Sequence, residues 1–366
     1  MNKRVLISGA SIAGLTLAYW LHRFGFQVTV VEMAKGLRRG GSPIDVRGAA
    51  LDIAKQMGIR EQIKSREFVH TDELVNAQNE TLVRFSINAQ AEYAGDIEIH
   101  RDDLVDILYA NIPATAVEFL FDNRIAQIDS GPEQVTVTFR NQDRRNFDFV
   151  FGADGTHSGV RRLIFGAEEQ YTQFFGAYFA LTEAPHLQIG NASSGGVLYH
   201  EPGMLAALYP FKQMVHAMLA FRSPQLNWDY RNRAQAKQIL KDRFKKPSWR
   251  IPEILAAMLC NDHLYFDAVS QIHMPSWSKG RIALLGDAAY TSSFPTGMGT
   301  SLAMEGAAIL AKTLQSSEGN YTAAFSAYYD TFHPVVKEVQ ARIIRGLNWS
   351  LPETEEAIQQ AIARFS

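Results

Sequence analysis

Two rhythms of apolar residues run along the chain. Val5 to Ile7 is continuously apolar, Gly9 interrupts, and from Leu15 to Phe24 apolar residues return at helical spacing. A second apolar run, Val28 to Val31, closes on Glu32. Continuous apolar strands around a helix-period stretch predict a βαβ unit with a buried parallel sheet. Gly9 lets the chain turn at the strand end, and Gly14 lets the helix pack close to the strand. Backbone N–H groups at the helix start are unpaired and carry partial positive charge, so they receive a pyrophosphate. Glu32 is placed to accept hydrogen bonds from both hydroxyls of a ribose, and it repels a 2′-phosphate. Ser11 replaces the middle glycine, so the motif is G-x-S-x-x-G. The unit is expected to hold FAD or NAD more readily than NADP.

Further along, a basic glycine-rich loop contains Arg38, Arg39, Gly40 and Gly41, with Arg47 beyond it; these arginines are placed to face phosphates. Strand-like alternation from Glu73 to Ile87 turns at Asn79-Glu80. Arg101 stands between a short strand and a helix with Leu104, Val105 and Leu108 at helical spacing. Four short strands follow, and the last enters Asp154-Gly155, with Ser158 and Arg161 behind it. From Tyr171 to Phe221 aromatic residues and alternation predict an antiparallel sheet with one face on a pocket or core. Helices are predicted from Arg231 to Phe244 and Ile254 to Cys260, and a strand from Tyr265 to Gln271. Arg281 to Leu285 is a buried strand ending in Gly286-Asp287. Gly297 and Gly299 then free the backbone before an apolar helix from Thr300 to Leu314. A helix to about Asn348, which Pro334 is expected to bend or break, and another from Glu353 to Phe365 end the chain.

This order predicts an α/β fold: a Rossmann-like dinucleotide-binding domain, for FAD or NAD, with an inserted mixed or antiparallel substrate domain and C-terminal helices. The expected boundaries are 1–70, 96–170 and 272–318 for the first, 71–95 and 171–271 for the second, and 319–366 for the helices. The 366 residues are 46% hydrophobic and 20% charged, enough for a large core. The net charge of −2 offers no basic field for nucleic acid. Cys260 is the only cysteine, which excludes an intramolecular disulfide and a cysteine-built metal cluster; no metal is expected. Its apolar, helix-period surroundings predict a buried structural thiol. No run of 18 apolar residues occurs, and glycine interrupts the N-terminal apolar run, so a cytoplasmic protein without a transmembrane segment is expected.

The βαβ unit ending in Glu32, the Asp154-Gly155…Ser158…Arg161 segment, and Gly286-Asp287-Ala288-Ala289 stand in a fixed order. In that order the chain resembles single-component FAD-dependent aromatic hydroxylases of the para-hydroxybenzoate hydroxylase type. Gly40-Gly41-Ser42-Pro43-Ile44-Asp45 and Glu98-Ile99-His100-Arg101-Asp102-Asp103-Leu104 resemble the tetracycline-inactivating members most. The resemblance implies FAD contacts from Gly9, Ser11, Ala13, Gly14, Glu32, Arg39, Asp45, Arg47, Arg101, Ile125, Asp154, Asp287, Pro295, Gly297 and Gly299. It implies NADPH or NADH as a transient reductant and O2 as co-substrate. It further implies hydroxylation of a planar, electron-rich small molecule, aromatic or polyketide and with tetracycline-like antibiotics in the class, through a flavin C4a-hydroperoxide. Tyr290, Met298 and Glu305 depart from residues frequent in the family.

No catalytic side chain is demanded, because the flavin carries the chemistry. The substrate wall is expected from the aromatic sheet and the last loop: Phe175, Tyr178, Tyr199, Met214, His216, Phe221 and Phe294. A monomer or weak dimer is expected. A flavin reductase or dehydrogenase without oxygen insertion and a non-catalytic flavin-binding protein are the alternatives. The absence of a W-x-W-x-I-P segment disfavours a flavin-dependent halogenase.

Overall fold

Five parallel strands form the frame, in the order Ile282–Leu284, Phe149–Gly152, Arg4–Ser8, Gln27–Val31, Val117–Leu120, with Ser278–Lys279 antiparallel at one edge. The computed structural model describes residues 3–86, 95–189, 195–211 and 214–364. Ile87, Phe365 and the side chain of Phe211, expected in a strand, a helix and the aromatic sheet, lie outside the described residues.

The central strands are apolar because both faces are covered. The helix Ile12–Arg23 packs against Gly299–Ser316, which also carries Tyr321–Ala341. A three-stranded antiparallel sheet, Ile125–Ser130, Val135–Phe139 and Arg144–Phe147, bridges Val117–Leu120 to Phe149–Gly152. The second large sheet has seven strands in the order Tyr265–Ile272, Thr172–Glu183, Met214–Arg222, Met204–Phe211, Val197–Glu201, Asp72–Val75, Thr81–Phe85. Neighbours in it are antiparallel except Val197–Glu201 beside Asp72–Val75. One face packs on the helices Arg233–Arg243 and Ile251–Cys260 through Tyr178, Phe221 and Phe266. The other faces the first domain and the helix Ile343–Ser350. Pro43–Val46 and Ile97–His100 form an antiparallel pair between the two large sheets.

Two expectations change. Pro334 does not break its helix, which runs from Tyr321 to Ala341; Tyr328, Phe332, Val336 and Val339 bury along one side of it, and that packing holds the helix together where a hydrogen bond is lost. Cys260 is exposed, not buried. It ends its helix and points away from the face of Ile254, Ala257 and Met258.

The close approach inside the βαβ unit is steric. A Cβ on Gly14 would lie 1.9 Å from the carbonyl oxygen of Gly9, so any side chain there pushes the helix off the turn. Gly14→Ala is expected to cost about 1–3 kcal/mol, the usual penalty of overpacking. Denaturant unfolding of the variant checks this, and an unchanged midpoint would contradict the close contact.

Candidate active site

A cavity of about 1630 Å³ opens between the parallel sheet and the seven-stranded sheet. A small-ligand pocket measures roughly 300–1,000 Å³, so there is room for a dinucleotide and a second molecule.

The βαβ turn forms one wall, with Gly9, Ser11, Ile12 and Ala13 lining it. Gly9 has φ +109°, and a Cβ there would meet the Ala153 carbonyl oxygen at 2.4 Å. Gly14 lies behind this turn. Glu32 accepts hydrogen bonds from the N–H groups of Ala10 (2.8 Å) and Ala34 (2.9 Å), which fix its carboxylate at the cavity edge. Ile125 lines the same end.

Arg101 begins the helix Arg101–Ala110, and its buried guanidinium reaches into the cavity. It donates to Ser11 Oγ (2.9 Å) and to the carbonyls of Arg38 (3.1 Å) and Gly40 (3.2 Å). Burial, reinforced by Arg38, lowers its pKa to about 10. Arg39 does not line the cavity; it pairs with Asp106 at 2.7 Å, its side chain 57% exposed.

Asp154 accepts from the N–H groups of Gly159 (2.9 Å) and Val160 (3.1 Å) and from the Ser158 hydroxyl, while Ser158 Oγ accepts from the Arg161 N–H (3.0 Å). Burial raises the Asp154 pKa. Asp287 opens onto the cavity at the end of the Ile282–Leu284 strand, open to that space yet deep within the protein. Its pKa rises to about 6 through burial, with Arg38 opposing and Asp267 adding. Gly297, at φ +64°, and Gly299 line the cavity where the helix Gly299–Ser316 begins. Pro295 turns away, its carbonyl against Gly346. Asp45 lines the cavity and pairs with Arg47 (2.8 Å). Arg47 lies outside the lining, behind Gly297, reaching also towards Asp96 (3.4 Å).

The expected substrate wall divides by strand parity. Phe294 lines the cavity, with Phe179, Leu181, Leu198, Leu205, Ala207 and Met218 from the sheet. Tyr178, Tyr199 and Phe221 point to the opposite face. The Tyr178 hydroxyl accepts from the Leu226 N–H (2.8 Å), and Tyr199 bonds Glu201 (2.9 Å) and Ser248 (2.7 Å). Phe175 packs with the cluster of Ile343 and Leu347. Met214 does not line the cavity. His216 is buried, and burial followed by nearby His100 lowers its pKa to about 4. The aromatic residues drew attention, whereas the alternation Tyr178, Phe179, Ala180, Leu181 carried the available signal.

Two polar clusters escaped the sequence reading because each is completed by residues distant in sequence, Glu98 in the first and Asp267 and Tyr230 in the second. His70 stacks on Phe68 (4.7 Å), 3.2 Å from Asp72 and 3.6 Å from Glu98. Burial disfavours its charge, but the Asp72 and Glu98 carboxylates outweigh burial and raise its pKa to about 9. Burial raises that of Glu98 to about 8. In the second cluster His157 lies between Glu168 (2.7 Å) and Asp267 (3.3 Å), with Tyr230 stacked on its ring at 3.7 Å.

The donor set fits FAD. A desolvated guanidinium beside a helix N-terminus suits a pyrophosphate, the fixed Glu32 carboxylate suits a ribose, and Asp287, open to the cavity, gains from polyol hydroxyls. A family model described as FAD binding domain matches residues 2–345. The chain belongs to this family. A flavin-dependent monooxygenase of Legionella longbeachae serogroup 1 is 36% identical over 339 residues, covering 89% of this chain and 84% of that protein. Another, from an unknown prokaryotic organism, is 37% identical over 345 residues, covering 93% and 88%. The crystal structure of tetracycline destructase Tet(51) superposes with a TM-score of 0.88 at 32% identity, covering 100% of this chain and 96% of the other. Klebsiella pneumoniae HpxO complexed with FAD and uric acid, at 17% identity and a TM-score of 0.76, shares the fold; the match covers 99% of this chain and 92% of that one. The chain is therefore an FAD-dependent monooxygenase of the aromatic-hydroxylase type.

The second cluster makes stability depend on pH. Burial opposes the charge on His157, but hydrogen bonds to Asp267 and Glu168 dominate and raise its pKa from 6.5 to about 10. Its stabilisation is complete below pH 6.5 and is lost as pH rises through about 10. His157→Gln is expected to lose about 1–3 kcal/mol at neutral pH, the range for hydrogen bonds to charged groups and for leaving such a partner unpaired. The gap to the parent protein should close above that upper pH, as thermal unfolding across the range would show; a pH-independent gap contradicts the assignment.

Proposed function

We propose that the protein uses NADPH or NADH, together with O2, to hydroxylate a planar, electron-rich small molecule, a tetracycline-like or other aromatic polyketide compound being the leading class. The carrying observation is the chemical division of the cavity. One end combines the βαβ turn with Arg101, Glu32 and Asp287; the other is the apolar sheet face of Phe179, Leu181, Met218 and Phe294. The destructase likeness supports the substrate class.

FAD, held by Gly9, Ser11, Glu32, Arg101, Asp154 and Asp287, supplies when bound the redox chemistry between nicotinamide and O2. The remaining work belongs to the chain. The helix Gly299–Ser316 turns its N-terminus to the cavity, and its N–H groups favour negative charge developing there. The apolar sheet face excludes water and accepts a flat ring system. Ser42, from the glycine-rich loop, hydrogen-bonds the Tyr209 hydroxyl (3.0 Å), joining the loop to the substrate sheet.

Purified protein reconstituted with FAD is expected to consume NAD(P)H faster with substrate present and to yield a product carrying one oxygen atom from labelled O2. Stoichiometric peroxide, with no oxygenated product across phenols and tetracyclines, would sink the reading. Strand parity gives a second expectation. Met218→Trp, on the cavity face, should raise the substrate KM by roughly tenfold, about 1.4 kcal/mol. Phe221→Leu, on the opposite face, should lower stability by about 0.5–3 kcal/mol with KM unchanged. Steady-state kinetics on both variants decides; equal effects on KM would refute the parity assignment.

A further inference from the structure

The net charge of −2 conceals one strongly basic stretch. From Arg231 to Lys246 the chain places seven lysines and arginines against a single acid, Asp242. Arg233, Lys237 and Lys241 stand one turn apart along the helix Arg233–Arg243, and Lys245 continues the row past its end. Ala236, Leu240 and Phe244 bury the neighbouring side of that helix against the seven-stranded sheet. The row therefore flanks the outer surface of the substrate domain, where Arg233, Lys241, Arg243, Lys245 and Lys246 are exposed.

The helix itself does not require this charge. Basic residues suit a helix C-terminus, where Lys241 and Arg243 stand, but a first turn favours acids. Here the first turn holds no acid and opens on Arg233. Like charges four residues apart also repel. Local pairing quenches only part of the field: Asp262 approaches Lys237 at 3.8 Å and Asp242 approaches Lys245 at 3.2 Å. Arg243 donates to the Arg222 carbonyl (3.2 Å), which leaves its charge uncompensated. Among the described residues Arg233, Lys241, Arg243 and Lys246 form no ion pair.

The surroundings of the row select its partner. A protein interface buries an apolar centre, and among the described residues from 222 to 250 no large apolar side chain is exposed. A nucleic acid needs a basic field wider than one helix, and the remainder of the chain is net acidic. An anionic bilayer needs neither, because its headgroups attract lysine and arginine within a Debye length and without apolar insertion. The stretch also begins at the cavity, which Arg231 lines, and the apolar sheet face of that cavity suits molecules that partition into lipid. Resting in this last respect on the substrate class proposed above, we propose that the basic surface of the helix Arg233–Arg243, with Lys245 and Lys246, docks on anionic phospholipid and holds the cavity beside the bilayer.

The test is sedimentation of the FAD-loaded protein with vesicles of phosphatidylcholine alone, or of equal parts phosphatidylcholine and phosphatidylglycerol. Binding is expected only to the anionic vesicles, and it should vanish near 1 M salt, where the Debye length falls to about 3 Å. Arg233→Gln/Lys241→Gln/Lys245→Gln/Lys246→Gln should weaken partitioning by about tenfold or more, with FAD content and the thermal unfolding midpoint unchanged. Lys55→Gln/Arg60→Gln/Arg144→Gln/Lys337→Gln removes the same charge from exposed positions elsewhere and should bind as the parent does. A parent protein that ignores anionic vesicles at low salt overturns the proposal, as does equal loss of binding in both variants. Tighter binding to duplex DNA than to the vesicles at the same salt overturns the assignment to lipid. None of these outcomes touches the monooxygenase reading; vesicle binding without an oxygenated product from any compound refutes that reading and upholds the docking surface.

Discussion

A guanidinium removed from water holds the cavity walls in register. Arg161 is fully buried, and burial lowers its pKa, with the charge of Glu168 the chief opposing influence. It donates to the carbonyls of Thr156 and Ala288 and to Glu168. Those bonds join the Asp154 turn to the segment bearing Asp287, whose strands are neighbours in the parallel sheet but far apart in sequence. Glu168 passes the connection to His157, and His157 to Asp267 on the first strand of the other sheet. A buried arginine is tolerated only when its charge is paired, and here the pairing spans both halves of the molecule.

Much of the frame was legible in sequence because it rests on local rules. The run from Val5 to Glu32 states strand, turn, helix and strand in order, and the folded chain keeps it. Arg101, Asp154, Asp287 and Gly297 could be picked out because each stands at a junction between elements, where backbone geometry concentrates chemistry. The paired positions were not legible. Arg39 and Arg47 are equally basic in sequence, but Asp106 draws one to the surface and Asp45 with Asp96 draws the other behind the cavity wall.

The sheet face shows a different limit. Aromatic content announced a surface that buries area, but both faces of this sheet are covered, one by helices and one by the cavity. The direction of each side chain follows from register, which the bulge between Phe174 and Tyr178 alters. Cys260 and Pro334 fail for a related reason. Hydrophobic neighbours and helix-breaking chemistry are averages, and the helix end in one case and the packed side in the other decide the outcome.

Alternation gives the sheet a division of labour. Tyr178, Leu219 and Phe221 belong to the core beneath the helices, while Leu181 and Met218, their neighbours along the same strands, face the cavity. Shape at the reactive centre and cohesion of the domain are thus written in alternate letters of one segment. A lineage can rewrite the first set while the second stays fixed, so the same scaffold can drift from one planar molecule to another without first loosening its fold.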